Sequence, residues 1–303
     1  MRRYDHTSMG GQRETFLTTH WSLIEDVKKQ PDRHRALIGL LLKRYWKPVY
    51  CYLRRKGYDN EQAKDLTQGF FHEVVLREQG RYNDAETLFA RYLEDLRQNR
   101  GDEHFWTVWC MDSFAHLYID QDRYDEAKTL LDEALPIARR RMRQDHPVTL
   151  DLVNARAVLH TKQKEYDNAQ SLFKEALEGR KRELGDNHPD TLETINDLGI
   201  LYRQQKHYEK AENLLTEALE KRKAKLGDDH PHTLQTMYEL AVLYKEQGDY
   251  AKAEPLLVET IEGSSLKLGD QHPHTRESIK SLIDLYETWN KPEEVEQWRG
   301  KLP

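Results

Sequence analysis

The chain has 303 residues, of which 37% are hydrophobic and 33% are charged, with a formal net charge of −6. This supply of apolar side chains is small for one thick globular core, and it suits a thin solenoid in which each unit buries only the faces that meet its neighbours. Two cysteines exclude a disulfide framework and favour a cytoplasmic location. No signal peptide and no run of about 18 apolar residues occurs, so we expect no membrane contact.

The first part of the chain is basic and does not repeat. Residues 1–58 contain 13 Lys and Arg against 5 Asp and Glu, whereas the remainder contains 34 against 48. We expect residues 1–14 to be flexible and predict helices over Trp21–Val27 and Arg35–Lys56, with a third starting at Asn60. Basic side chains can attract nucleic acid, but a solvated helix end explains the Arg54–Lys56 run better, so nucleic-acid binding is not expected.

Residues 15–74 resemble the helical region with which extracytoplasmic-function sigma factors dock on RNA polymerase. The resemblance lies in YWKPVYCYLRRKGY, which starts at Tyr45, and in AKDLTQGFF, which ends at Phe71. It implies a polymerase contact through Asp65, Gln68 and Phe71, although Gly69 stands where such factors commonly have Glu. The promoter-melting and helix-turn-helix parts do not follow, so sigma activity is not expected. A polymerase-contacting regulator and a fusion remnant that caps the array both remain open.

From about residue 75 the sequence repeats with a period of 42 residues. Four residue types each recur five times at this step, namely Tyr82, Tyr124, Tyr166, Tyr208 and Tyr250; Ala85, Ala127, Ala169, Ala211 and Ala253; His104, His146, His188, His230 and His272; and Thr107, Thr149, Thr191, Thr233 and Thr275. Such a regular spacing indicates an array of equivalent structural units.

Each unit has the pattern of two helices. Apolar residues from Leu192 to Tyr202 and again over Tyr208–Leu226 fall at helical spacing on one face. Gly185 fits a left-handed residue that ends a helix, and Pro189 fits the first turn of the next. The basic run Lys221–Lys225 is interpreted as a solvated helix end, where cations favour the helix dipole.

The segments YxxAExLL and LGDxHPxTL resemble the tetratricopeptide repeats of kinesin light chains and their bacterial relatives. The resemblance implies an all-α fold: a right-handed superhelix of 42-residue helix pairs over 75–290, behind a small N-terminal helical segment. Residues 291–303, where Pro292 replaces the recurring Tyr, are predicted to form a capping helix.

The resemblance also places a binding groove on the first helix of each pair, along three registers. These predicted groove residues are Asp112, Asn154, Asn196, Tyr238 and Lys280 in the first, Val158, Ile200 and Val242 in the second, and Arg203 and Lys245 in the third. The two asparagines are expected to pair with a peptide backbone, the aliphatic row to meet its side chains, and the cations to hold a carboxylate.

No arrangement of residues indicates catalysis. The sequence contains neither a phosphate-binding glycine loop nor a nucleophile elbow, and the recurring histidines lie one unit apart, too far for one zinc ion. We therefore expect no enzyme, no cofactor and no metal site. The predicted function is a scaffold that binds a peptide or partner protein, with a transcription regulator that contacts RNA polymerase as the alternative.

Overall fold

The computed structural model describes residues 82–302, and within this range it contains eleven α-helices and no strand. The helices are α1 Tyr82–Arg100, α2 Phe105–Asp120, α3 Tyr124–Arg141, α4 Pro147–Lys162, α5 Tyr166–Leu184, α6 Pro189–Gln204, α7 Tyr208–Leu226, α8 Pro231–Gln247, α9 Tyr250–Leu268, α10 Pro273–Thr288 and α11 Pro292–Arg299. The all-α prediction and the 42-residue period are confirmed, because equivalent helices start one period apart from α2 onward. The predicted N-terminal helical segment lies outside the described residues.

A tight turn joins the two helices of each unit, and it uses one residue with a positive φ. That residue is Asp122, Lys164, Lys206, Gly248 or Asn290, again one period apart, with φ between 57° and 80°. In the third unit the amide of His207 donates to the carbonyl of Tyr202 over 2.9 Å, which closes the turn. Only one of the five residues is glycine, so four units hold a side chain in a region that ordinary residues rarely adopt.

The recurring histidine is the N-cap of the first helix in each unit. Nδ1 of His188 accepts a hydrogen bond from the amide of Asp190 over 3.3 Å, and the other four histidines do the same two residues on. A side-chain acceptor at this position satisfies one of the amides that have no partner within the helix. The histidines therefore stabilise the start of each first helix, and the Nδ1 atom that accepts the hydrogen bond must be unprotonated.

The glycine before this junction adopts a conformation that differs from the predicted left-handed one. Gly185 has φ 89° and ψ 165°, and Gly227 and Gly269 are nearly identical. The positive φ agrees with the prediction, but the ψ value is extended, in a region essentially restricted to glycine. This geometry turns the chain out of one helix and directs it into the His-Pro start of the next, where the Thr191 hydroxyl donates to the Gly185 carbonyl over 2.9 Å.

Small residues allow the two helices of a unit to cross closely. Ala211 is fully buried at the crossing of α6 and α7, and a Cβ added to Gly199 would lie 2.8 Å from Cγ of Leu215. Such a separation is shorter than any normal carbon contact, so a larger side chain would displace Leu215. The close crossing of α6 and α7 therefore accounts for the small residues at positions 199 and 211.

Helices pack in series, each mainly on its neighbours in the chain. At the C-terminal end, α11 occupies the place of a second helix, and its Val295 is buried in the core of the last units. In the described part, none of the helices is both long enough and apolar enough to span a lipid bilayer.

Candidate functional site

The first helices of the units, α2, α4, α6, α8 and α10, form the inner side of the array. Successive first helices contact one another, whereas each second helix packs chiefly against the first helices on either side of it. An array curves toward the side on which its helices approach most closely, so the first helices line the concave side. The predicted groove residues all lie on these helices.

The first predicted register changes from buried to exposed along the array. Asp112, Asn154 and Asn196 are at most 5% exposed, Tyr238 is half-buried, and Lys280 is exposed. The first three side chains therefore form the floor of the concave side, and the last two are accessible at its C-terminal end.

Two of these residues already have partners in the next unit. Nδ2 of Asn154 donates to Oδ2 of Asp197 over 2.9 Å, and the Tyr238 hydroxyl lies 2.9 Å from Oγ of Ser281. The Asn196 side chain, by contrast, makes no hydrogen bond to a neighbouring unit among the described residues. Its Oδ1, like that of Asn154, is buried and has no hydrogen-bond partner there.

The second predicted register forms an aliphatic row. Val158, Ile200 and Val242 are each half-buried, so each presents part of its side chain to the concave surface. A row of partly exposed methyl groups at the spacing of the units can contact apolar side chains of a bound segment.

The third predicted register consists of cations that are already paired. Nη2 of Arg203 lies 3.0 Å from Oε2 of Glu239, and its Nη1 contacts Glu246. Nζ of Lys245 lies 2.7 Å from Oδ2 of Asp284. A ligand carboxylate that used Arg203 or Lys245, as the sequence predicts, must therefore compete with a carboxylate of the protein itself.

Two buried arginines on second helices were not predicted. Arg180 of α5 is 2% exposed and joins two first helices: Nη2 donates to Asp151 over 2.6 Å, and Nη1 donates to the Thr194 hydroxyl over 2.7 Å. Arg222 of α7 is also 2% exposed, and its Nη1 donates to the Thr236 hydroxyl over 2.6 Å.

The interpretation of Lys221–Lys225 as a solvated helix end is therefore wrong for Arg222. Its neighbours in the chain face outward or are half-buried, but Arg222 follows Ala218 by one helical turn and shares its buried face. Arg180 follows the buried Ala176 in the same way. A helical projection of the second helices is the signal that could have identified both residues.

Carboxylates surround these arginines on the concave side. Burial raises the pKa of Asp197 to about 7, and the negative charge of Glu193 acts in the same direction. Burial likewise raises the pKa of Asp151 to about 6, against the opposing effect of Arg180. Burial also disfavours ionisation of Glu193, but nearby cations, Arg180 foremost, hold its pKa below the ordinary value. Glu193 is therefore ionised at neutral pH.

Asp65, Gln68 and Phe71, the predicted polymerase contacts, lie outside the described residues. Within residues 82–302 there is no group of three or more His, Cys, Asp or Glu side chains arranged to hold a metal ion.

The chain is similar in fold to several solved structures. NprR in complex with its cognate peptide NprX matches with a TM-score of 0.61 at 15% identity, over 96% of this chain and 88% of that one. BtubC (BKLC) from P. vanneervenii matches with a TM-score of 0.55 at 18% identity, over 74% and 89%. A putative kinesin light chain from Podospora anserina with nearly identical TPR-like repeats has a TM-score of 0.48 at 22% identity, over 64% and 93%.

No curated protein sequence shows significant similarity to this chain. The tetratricopeptide repeat profile, by contrast, matches residues 74–140, 149–224 and 218–264, which is well over half of the chain. The predicted repeat type is thereby confirmed. With its stacked helix pairs and this match, the chain belongs to the tetratricopeptide repeat family.

Proposed function

We propose that the protein is a non-enzymatic scaffold whose concave side binds an extended peptide or a segment of a partner protein. The observation that carries this proposal is Asn196. Its side chain is 1% exposed, its Oδ1 lacks a partner among the described residues, and it lies on the first helix of a central unit. A buried amide oxygen without a partner is costly, and a peptide backbone could supply the missing donor.

The surroundings of Asn196 fit the same ligand. Ile200 lies one turn further along α6, and Val158 and Val242 occupy the equivalent places on α4 and α8. An extended chain has backbone groups and side chains to match both features. The structure of NprR with its cognate peptide supports the proposal by likeness of fold. The same likeness favours a binding role over an enzymatic one.

The test is capture of a synthetic pool of random nonapeptides by the purified full chain. Asn196→Ala and Ile200→Ser should each reduce the captured amount about 5- to 10-fold, because each removes roughly 1 kcal/mol of contact with the ligand. Asn213→Ala is the matched control, since Asn213 is exposed on a second helix. Capture that is absent, or equal for Asn196→Ala and Asn213→Ala, contradicts the proposal.

The alternative of a transcription regulator rests on the sequence of residues 15–74 alone. The repeat profile begins at residue 74, so this segment precedes the family match. The full chain, incubated with purified RNA polymerase, should retain the enzyme if the segment docks, and Asp65→Ala combined with Gln68→Ala should abolish retention. A full chain that retains no polymerase leaves the scaffold as the single proposal.

A further inference from the structure

The central part of the concave side carries more carboxylates than cations. We define the central site by six charged side chains on α4 to α7, which are the carboxylates Asp151, Asp190, Glu193 and Asp197 and the guanidinium groups of Arg180 and Arg222. Four acidic groups against two basic ones leave an excess of negative charge when all are ionised. This excess lies beside Asn196, the residue on which the proposed function rests.

The cations of the central site lie beneath its carboxylates. Arg180 and Arg222 are each 2% exposed. The side chains of Asp190 and Glu193, by contrast, are each 43% exposed. A ligand approaching from the groove therefore meets carboxylate oxygens before it can reach a guanidinium group.

The acidic side chains also keep unused acceptor capacity. Asp197 accepts one hydrogen bond at Oδ2, from Asn154, and its Oδ1 accepts none within residues 82–302. Glu193 has one ion pair, in which Oε2 lies 3.5 Å from Nη1 of Arg180, a distance too long for a strong hydrogen bond. Both carboxylates can therefore accept further donors.

Asn196 provides an independent sign that a ligand binds at this place. It lies on α6 between Glu193, three residues before it, and Asp197, directly after it. Its Oδ1 is buried and has no partner among the described residues, and the same holds for Oδ1 of Asn154, which touches Asp197. In this register, buried side-chain oxygens without a partner thus occur in two adjacent units, on Asn154 and Asn196. The residue of the same register in the following unit, Tyr238, is bonded to Ser281.

We propose that the central site binds a positively charged group of the partner segment, a lysine or arginine side chain or an amino terminus, between Glu193 and Asp197. The inference rests on the proposed function and deepens it, because it assigns a charge to the ligand. A cation with several N–H donors satisfies the free carboxylate oxygens and neutralises part of the excess negative charge.

The proton affinities of the site support this assignment. The groups that face Asp197 are Glu193 on its own helix, Asn154 on α4, Arg180 on α5 and Arg222 on α7. Burial and Glu193 together outweigh the three favourable partners, so the pKa of Asp197 rises to about 7. A carboxyl group that resists ionisation in the empty groove is stabilised as an anion when a cation arrives. Binding of such a ligand near neutral pH should therefore release a proton.

The test uses two synthetic pools of random nonapeptides, both with amidated C-termini. One pool is N-acetylated, so that its only cations are side chains, and the other has free amino termini. Peptides captured by the full chain are sequenced by mass spectrometry for the wild type and for Glu193→Gln combined with Asp197→Asn. The matched control is Glu209→Gln combined with Glu220→Gln, which replaces two carboxyl groups at exposed positions on α7.

We expect the wild type and the control to enrich Lys and Arg about tenfold over the acetylated pool, as suits a partly desolvated charge pair worth about 1.4 kcal/mol. The central double variant should capture peptides at the pool frequency of these residues. Capture from the free-amine pool alone, without enrichment of Lys or Arg, assigns the cation to an amino terminus. Because both substitutions are nearly isosteric, circular dichroism should show that the central variant keeps the helical fold of the wild type.

Other results separate the two proposals. Capture that depends on Asn196 but shows no preference for cations overturns the charge assignment and leaves the scaffold standing. A preference for cations that persists in the central double variant has the same meaning, because the cation then binds elsewhere. Absence of capture, or capture indifferent to Asn196→Ala, overturns the scaffold and the charge assignment together.

Discussion

The central units, α4 to α7, and the flanking units, α2 with α3 and α8 with α9, share one backbone and differ on the concave side. Four equivalent buried positions on the second helices hold Ala138, Arg180, Arg222 and Ser264. Guanidinium groups thus fill the position in the centre, and small side chains fill it on either side. The histidine caps and the recurring alanines, in contrast, are the same throughout.

This difference separates two kinds of residue in a repeat array. Residues that every unit needs for its own turn, cap or helix crossing recur at the 42-residue period. Residues that serve one place in the array depart from the period, as expected if the proposed ligand contacts particular units and not all of them. Departures from the repeat at buried positions are therefore the better guide to a binding site.

The largest effect is expected for a central arginine. We expect it to stabilise the fold more than an exposed arginine of a flanking unit does. Arg180→Ala should lower the free energy of unfolding by about 3–5 kcal/mol, because it leaves the buried Thr194 hydroxyl and the Asp151 carboxylate without their donor. Arg139→Ala should cost less than about 1 kcal/mol, since Arg139 and its partner Glu175 are both 43% exposed. Urea denaturation measures both. Equal losses of unfolding free energy for the two variants would show that the central arginine stabilises the fold no more than an exposed one.

A smaller effect of opposite sign is expected at Asp197. Its folded-state pKa of about 7 lies above the ordinary value of 3.8, so its ionisation opposes folding, and this cost grows as pH rises from about 4 to 7. Asp197→Asn removes the cost, while Asn can still accept from Asn154. At pH 8 the variant should be more stable by about 1 kcal/mol, or about 2–4 °C in unfolding temperature.

The same measurement at pH 5 checks the sign. The advantage of Asp197→Asn should shrink there, because the folded wild type then holds Asp197 in its protonated form. Asp167→Asn is a suitable control, since Asp167 is exposed on a second helix. An advantage that does not depend on pH would mean that Asn packs better, and the electrostatic explanation would be wrong.

The smallest effect is expected at a histidine N-cap, a feature that the central and flanking units share. His146→Asn should change stability at pH 7 by less than about 0.5 kcal/mol, because Asn is also a good N-cap. Burial, with help from Arg143, holds the pKa of His146 below its ordinary value of 6.5. The unfolded chain therefore takes up a proton below pH 6.5 that the folded chain resists, and stability falls as pH decreases.

Asn does not titrate, so denaturation midpoints between pH 7 and pH 5 should fall less steeply for His146→Asn than for the wild type. Burial lowers the pKa of His230 to about 4, so this cap, in a later unit, also resists protonation in the folded chain. Identical slopes for variant and wild type would show that acid acts elsewhere in the array.

The sequence was sufficient to predict the repeat, but not its central charges. The helix predicted over Tyr208–Leu226 has these same limits in the structure. They could be predicted because the recurring Tyr marks the start of each second helix and the following Gly marks its end. The adjacent residues in the chain misled the prediction for Arg222, since lysines flank it, whereas a helical projection places it on the buried face of Ala218. The pairing of Arg203 with Glu239 and Glu246 joins residues 36 and 43 positions apart, which no local pattern reveals.

The serial packing of the helices also bears on how such a chain changes in length. Each helix touches mainly its immediate neighbours, and the turns with positive φ at Lys206 and Gly248 stand one period apart. A duplication or deletion of 42 residues at such a turn would keep the recurring caps, turns and helix crossings on both sides of the join. Evolution could thus lengthen or shorten the molecule in whole units, and only the contacts that differ between units would need to change.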